Sequence, residues 1–174
     1  SSVPEPRLSI TLAQGMPRGD RMDFILQKAV ELGVSAVQPL WTERSQSRAG
    51  GERLEKRLRH WRGVVISACE QCGRATLPAL DPPVEYRAWL NGDAGPGCRL
   101  LLVPEAGRSL GELQSPGNAI LLLVGPEGGI SAGETRLAVE SGFSPVRMGP
   151  RILRTETAAL AILAGLQALW GDMR

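Results

Sequence analysis

The 174 residues are 43% hydrophobic and 22% charged, the composition of an ordinary globular domain able to bury one sizeable core. No uninterrupted apolar run approaches the roughly 20 residues that a membrane span needs, and no basic-then-apolar leader opens the chain, so a cytoplasmic protein with no membrane partner is expected. A net charge of +2 does not by itself argue for a nucleic-acid partner, but residues 1–80 hold 12 Lys+Arg against 8 Asp+Glu while residues 81–174 hold 8 against 10.

Residues 1–7, "SSVPEPR", read as linker or terminal remnant, and a single domain is expected over 8–174. "RLSITLAQG" predicts a first strand over Leu8 to Ala13, broken by Gly15 and Pro17. "DRMDFILQKAVELG" then places Met22, Ile25, Ala29 and Leu32 on one helical face, with Gly33 as a stop. "VSAVQPLW" is a second strand.

The clearest helix runs from Gly51 to Arg74. Leu54, Leu58, Trp61, Val65, Ala68 and Cys72 recur at spacings of three and four, leaving Arg53, Lys56, Arg57, Arg59 and Arg62 on the outer face. That face is either solvated or phosphate-contacting. His60, the only histidine, reads as an exposed bystander. Cys69 and Cys72 form a CxxC inside this helix without the further ligands that zinc requires, so they read as half-buried thiols and no metal site is expected.

A short helix is predicted near Val84 to Leu90, then a Gly/Pro-rich loop over Asn91 to Gly97. "CRLLLVPEAG" is a buried strand ending at Pro104 and Glu105, and "AILLLVGPEGG" repeats that form. Ser131 and Glu134 have capping-box spacing and open a helix. The chain closes with a short strand, a turn at Gly149 and Pro150, and a long helix. This last helix is apolar nearly all round and must be covered on more than one side, which favours a homodimer.

Strands alternating with helices predict an α/β fold with a mostly parallel sheet flanked by helices. Ligands of such sheets bind beyond the carboxyl ends of the strands, where "VPEAG", "VGPEGG" and "RMGPRILRTE" supply unusual turns. Gly125, Gly128 and Gly129 let a ligand approach the main chain, but neither GxxxxGK[ST] nor GxGxxG is present. Glu127 would repel a phosphate. A neutral or cationic ligand beside an acidic co-substrate fits better, with Arg151 and Arg154 in the second Gly-Pro turn.

"GPEGGIS", "MGPRILRTETAALA", "QKAVELGV" and "EQCGR" together resemble the ribosomal RNA small subunit methyltransferase E family, within the SPOUT superfamily, over about Leu8 to Asp172. The resemblance implies a carboxyl-terminal deep trefoil knot, S-adenosyl-L-methionine as cofactor, a site shared across a homodimer, and methylation of uridine N3 in 16S ribosomal RNA, naked or in the assembled small subunit. It also implies an amino-terminal PUA-like β-barrel for RNA binding that these residues do not include, so near-normal cofactor affinity and weakened RNA affinity are expected of this chain alone. Carried over by position, Leu102, Pro104, Gly125, Gly128, Gly129, Ile130, Met148, Gly149, Ile152 and Leu153 would hold the cofactor. Arg154 would stabilise the uridinate oxygens as charge develops, and Glu127 or Glu156 would serve as base. Arg21, Gln71 and Arg74 would contact RNA. Competing readings are a SPOUT enzyme for another position such as a ribose 2′-oxygen, a non-catalytic RNA-binding or ribosome-assembly module, and a generic nucleotide-binding domain.

Overall fold

The computed structural model describes residues 3–46, 48–93 and 95–174. Ser1 and Ser2 of the expected linker, and Ala94 of the expected loop, lie outside the described residues. Seven strands form one sheet: β1 (Ser9–Gly15), β2 (Ala36–Trp41), β3 (Ala79–Leu80), β4 (Val84–Glu85), β5 (Cys98–Leu102), β6 (Ala119–Val124) and β7 (Ser144–Val146). Their order is β3-β2-β1-β6-β5-β7, with β4 also on β2, and every pairing is parallel. The helices are α1 (Arg21–Glu31), α2 (Gly51–Cys72), α3 (Tyr86–Asn91), α4 (Ala132–Glu140) and α5 (Thr155–Trp170).

Side chains of a strand alternate between the two faces of a sheet, and the core follows that rule. Ile120, Leu122 and Val124 of β6 join Ile10 and Leu12 of β1 beneath α1, α2 and α5. Leu121 and Leu123 turn to the other face, against Tyr86 and the α4 residue Ala138. Both faces are thus covered, as a parallel sheet requires. Tyr86, fully buried, donates its hydroxyl to the Glu134 carbonyl at 2.7 Å. Burial and the charge of Glu134 push its phenol up, so it stays a donor.

Helix termini follow the sequence signals. Gly73 ends α2 in the left-handed conformation at φ 81°, which costs glycine least. Ser131 and Glu134 form the expected capping box of α4, and Glu134 also accepts from the Glu43 N–H at 2.8 Å. One short region differs from expectation. Val84 and Glu85 are a strand on β2, and the helix begins only at Tyr86 with Glu85 as its cap.

The segment before β1 is packed on the domain. The Val3 N–H donates to the Gly73 carbonyl, and Glu5 pairs with Arg74 at 2.7 Å. No helix among the described residues is long and apolar enough to cross a membrane.

Candidate active site

The carboxyl ends of β5, β6 and β7 converge on one cavity of about 260 Å³. Its walls are Leu102 to Glu105 at the end of β5, Val124 to Ile130 at the end of β6, and Met148, Gly149 and Arg151 to Leu153 after β7, together with Arg44, Thr155 and Ala158. All ten residues assigned to the cofactor by position line it, as does Glu127.

Close backbone approach builds the central turn. A Cβ on Gly15 would stand 2.5 Å from Pro126 Cδ, so only glycine lets the end of β1 lie against the turn. A Cβ on Gly125 would meet Gly129 C and Ile130 N at 2.9 Å. The Gly129 N–H donates to the Pro126 carbonyl at 2.8 Å, and Gly129 is left-handed at φ 75°, closing a tight reverse turn.

A buried polar relay fixes that turn to the last helix. Thr155 Oγ1 donates to the Gly125 carbonyl at 2.6 Å and accepts from Gln14 Nε2 at 2.9 Å. Gln14 also donates to the Gly15 carbonyl at 2.9 Å and is fully buried. On the solvent side Arg44 Nη1 donates to the Gly128 carbonyl at 2.6 Å. Arg147 braces the third wall with 2.8 Å bonds to the carbonyls of Ala106 and Gly107. Gln14, Arg44 and Thr155 were not singled out by sequence reasoning. The only signal was the polar Gln14 at the end of an apolar strand beside Gly15.

The predicted catalytic residues divide. Glu127 accepts from the Arg18 N–H and from Arg21 Nη1, both at 2.7 Å. Burial alone would raise its carboxyl, but these bonds, the contact with its own N–H and the Arg21 charge together hold it below the usual range. An acid so stabilised as its anion is a weak base. Glu156, in the first turn of α5, lies 3.8 Å from Arg21 Nε, and its Oε2 is buried with no hydrogen-bond partner among the described residues. Arg21 therefore links the turn to α5. Arg154 is the exposed cap residue of α5, between the cavity residues Leu153 and Thr155, and is not itself part of the wall.

Two of the expected RNA contacts stand elsewhere. Arg74 Nη1 donates to the carbonyls of Val30 and Val34 at 3.1 and 2.9 Å, and its side chain is 6% exposed. Its charge is consumed in fastening α1, the α2 terminus and the segment before β1, which removes it from any RNA-binding set. Gln71 is exposed, about 27 Å along the α2 axis from Arg53 at 1.5 Å per residue. His60 is exposed as expected, yet pairs with Asp23. Cys69 is buried, and burial pushes its thiol up.

A parallel α/β sheet with glycine-built turns at its carboxyl edge places the chain in a class: a family model described as an RNA methyltransferase domain matches residues 4–167, and the architecture is SPOUT-type. The ribosomal RNA small subunit methyltransferase E of Buchnera aphidicola (subsp. Schizaphis graminum) is 37% identical over 169 residues, 97% of this chain and 69% of its own length. The crystal structure of the protein of that name from Neisseria gonorrhoeae, bound to S-adenosyl methionine, superposes with a TM-score of 0.91 at 47% identity, covering 98% of this chain and 70% of that one. A methyltransferase from Legionella pneumophila in complex with the same cofactor also gives 0.91, at 40% identity over 97% of this chain and 69% of that one. The chain belongs to the ribosomal RNA small subunit methyltransferase E family.

Proposed function

We propose that this chain transfers a methyl group from S-adenosylmethionine to N3 of a uridine in small-subunit ribosomal RNA. The observation that carries the reading is the cavity walled by three turns at the carboxyl edge of a sheet shared with cofactor-bound relatives. Its residues fit the cofactor. Leu102, Ile130, Met148, Ile152 and Leu153 offer an apolar slot, and the glycine turn brings main chain where any Cβ would collide. Glu127 lines the wall together with Arg44 and Arg151, and its negative charge suits an adenosyl group with a cationic sulfur better than a phosphate.

When bound, the cofactor supplies a methyl already activated by positive sulfur. What remains for the protein is alignment and deprotonation, since uridine N3 carries a proton at neutral pH. Glu156 is the better base, acting through water from outside the cavity wall, because its Oε2 makes no hydrogen bond among the described residues and only a long 3.8 Å ion pair with Arg21, whereas Glu127 accepts two 2.7 Å hydrogen bonds from Arg18 and Arg21. Arg154 stabilises the uridinate oxygens as the proton leaves.

Ile152 is 85% exposed at the cavity mouth, and Leu169 of α5 is 44% exposed. A second copy of the chain would cover them, completing the site in a homodimer. The carboxyl-terminal knot belongs to the same reading, supported by family membership.

Calorimetric titration with S-adenosylmethionine, followed by incubation with small ribosomal subunits and nucleoside mass spectrometry, tests the proposal. Micromolar binding and 3-methyluridine are expected, with Arg154→Ala slowing single-turnover transfer by about a hundredfold. A 2′-O-methylated product would replace the N3 assignment. No cofactor binding by folded protein would return the non-catalytic RNA-binding reading.

A further inference from the structure

Beside the cofactor cavity lies a second and larger cleft, of about 600 Å³, between the segment after β1, the segment after β2 and the amino-terminal half of α2. Arg18, Arg48, Arg53, Lys56, Arg57 and His60 line it, and no carboxylate is among the described residues that do so. Residues 53, 56, 57 and 60 are spaced i, i+3, i+4 and i+7, which puts them on one stripe of the helix. Arg59 and Arg62, exposed on the same helix, point away from the cleft. The sequence shows one basic helix; the fold divides it into two faces.

The positive charge in the cleft is poorly neutralised. Among the described residues no carboxylate comes within ion-pair distance of Arg18, Arg48, Arg53 or Lys56. Asp23 is drawn to His60. Burial pushes Arg57 below its ordinary range, with Asp23 opposing and the Arg53 charge adding to the effect. Arg57 is also held in place, over the Trp61 ring at 5.0 Å and toward the Gly19 carbonyl at 3.4 Å. Such a concentration of unpaired cations in a concave surface is a site for a polyanion.

Only a thin wall separates the two cavities. Arg18 lines the cleft, and its N–H donates to Glu127, which lines the cofactor cavity. Arg44 faces one cavity and Arg48, four residues on, faces the other. We propose that this cleft holds the phosphates of a single RNA strand flanking the target nucleotide, so that the target reaches across the Arg18–Glu127 wall to the methyl donor. The inference rests on the RNA methyltransferase reading and extends it by naming the groove and the face of α2 that bind substrate.

The test compares two charge-matched pairs on one helix. Arg53→Gln with Lys56→Gln removes two cations from the cleft, and Arg59→Gln with Arg62→Gln removes two from the opposite face. The probe is a fluorescein-labelled oligouridylate followed by anisotropy across a salt series, with S-adenosylmethionine affinity measured in parallel. For single strands each phosphate contact contributes about 0.7 to the slope of log K against log salt. The cleft pair is expected to lower that slope by about 1.4 and RNA affinity by roughly tenfold at moderate salt, with cofactor affinity unchanged. The opposite pair is expected to move both far less. Equal weakening by the two pairs, or no change with the cleft pair, overturns the proposal. Arg48→Gln provides an independent member of the cleft should the double variant fold poorly. Because binding is read without methyl transfer, an error in the N3 assignment would change the nucleoside product and leave the cleft result intact.

Discussion

Gly125 and Gly129 lie four residues apart in the same turn, yet replacing each by alanine is expected to act through a different cost. At Gly129 the space is open, the nearest atom to a new Cβ being Arg44 Nη1 at 4.0 Å, but φ is +75°. The penalty is the left-handed conformation itself, about 1 kcal/mol, which for a domain of this size lowers Tm by about 3 °C. At Gly125 no left-handed φ is required, and the obstacle is space. The Cβ would stand 2.9 Å from two backbone atoms, Gly129 C and Ile130 N, and ordinary contact begins near 3.4 Å. The turn must therefore open by about 0.5 Å, at the usual overpacking cost of about 1–3 kcal/mol. That displacement falls on the wall of the cavity and on the carbonyl held by Thr155. Calorimetry with S-adenosylmethionine is expected to show at least about a tenfold weaker Kd for Gly125→Ala, equivalent to about 1.4 kcal/mol, and little change for Gly129→Ala. If Gly125→Ala bound cofactor as tightly as the parent while melting normally, the claim that close main-chain approach shapes the site would be refuted.

Thr155→Val keeps the shape but leaves the buried Gly125 carbonyl and Gln14 amide short of a partner; a loss of about 1–3 kcal/mol in denaturant unfolding is expected, together with weaker cofactor binding. Arg74→Ala should cost about 2–3 kcal/mol by the same measurement, because the carbonyls of Val30 and Val34 lose a charged donor, while RNA affinity stays unchanged. The hydrogen bond from Arg74 lowers the Glu5 carboxyl, outweighing the opposing effect of burial. This contribution to stability is present above about pH 4.5, the ordinary value, and is lost as pH falls through the lowered one. Acid unfolding curves of Arg74→Ala should lack that component. In single-turnover methylation Glu156→Gln is expected to slow transfer by about a hundredfold or more and Glu127→Gln by far less; the reverse order would exchange their roles.

Much of the sheet was readable because its signals are local. Alternation and apolar runs marked β1, β2, β5 and β6, and the spacing of Ser131 and Glu134 marked the start of α4. β3 and β4 are two residues each, too short for any period to show, and exist because β2 offers them an edge. The glycine turns announced the cavity, and their residues do line it. Its supports were not legible, since Arg44 meets Gly128 across 84 residues and Gln14 meets Thr155 across 141. Arg74 misled for a related reason. Its assignment to RNA rested on the resemblance at "EQCGR", and only the fold brings two carbonyls to its guanidinium.

The long reach between Gln14 and Thr155 has a meaning for biosynthesis. During translation β1 emerges well before α5, which carries the hydroxyl that locks the Gly125 turn. Contacts so far apart in sequence form late. A nascent chain that has not yet reached residue 155 has the glycine turn without its lock and without the part of the cavity that Thr155 and Ala158 supply. Capture of the methyl donor thereby waits for α5, and ligand-dependent protection from proteolysis would distinguish molecules that contain this helix from those arrested before it.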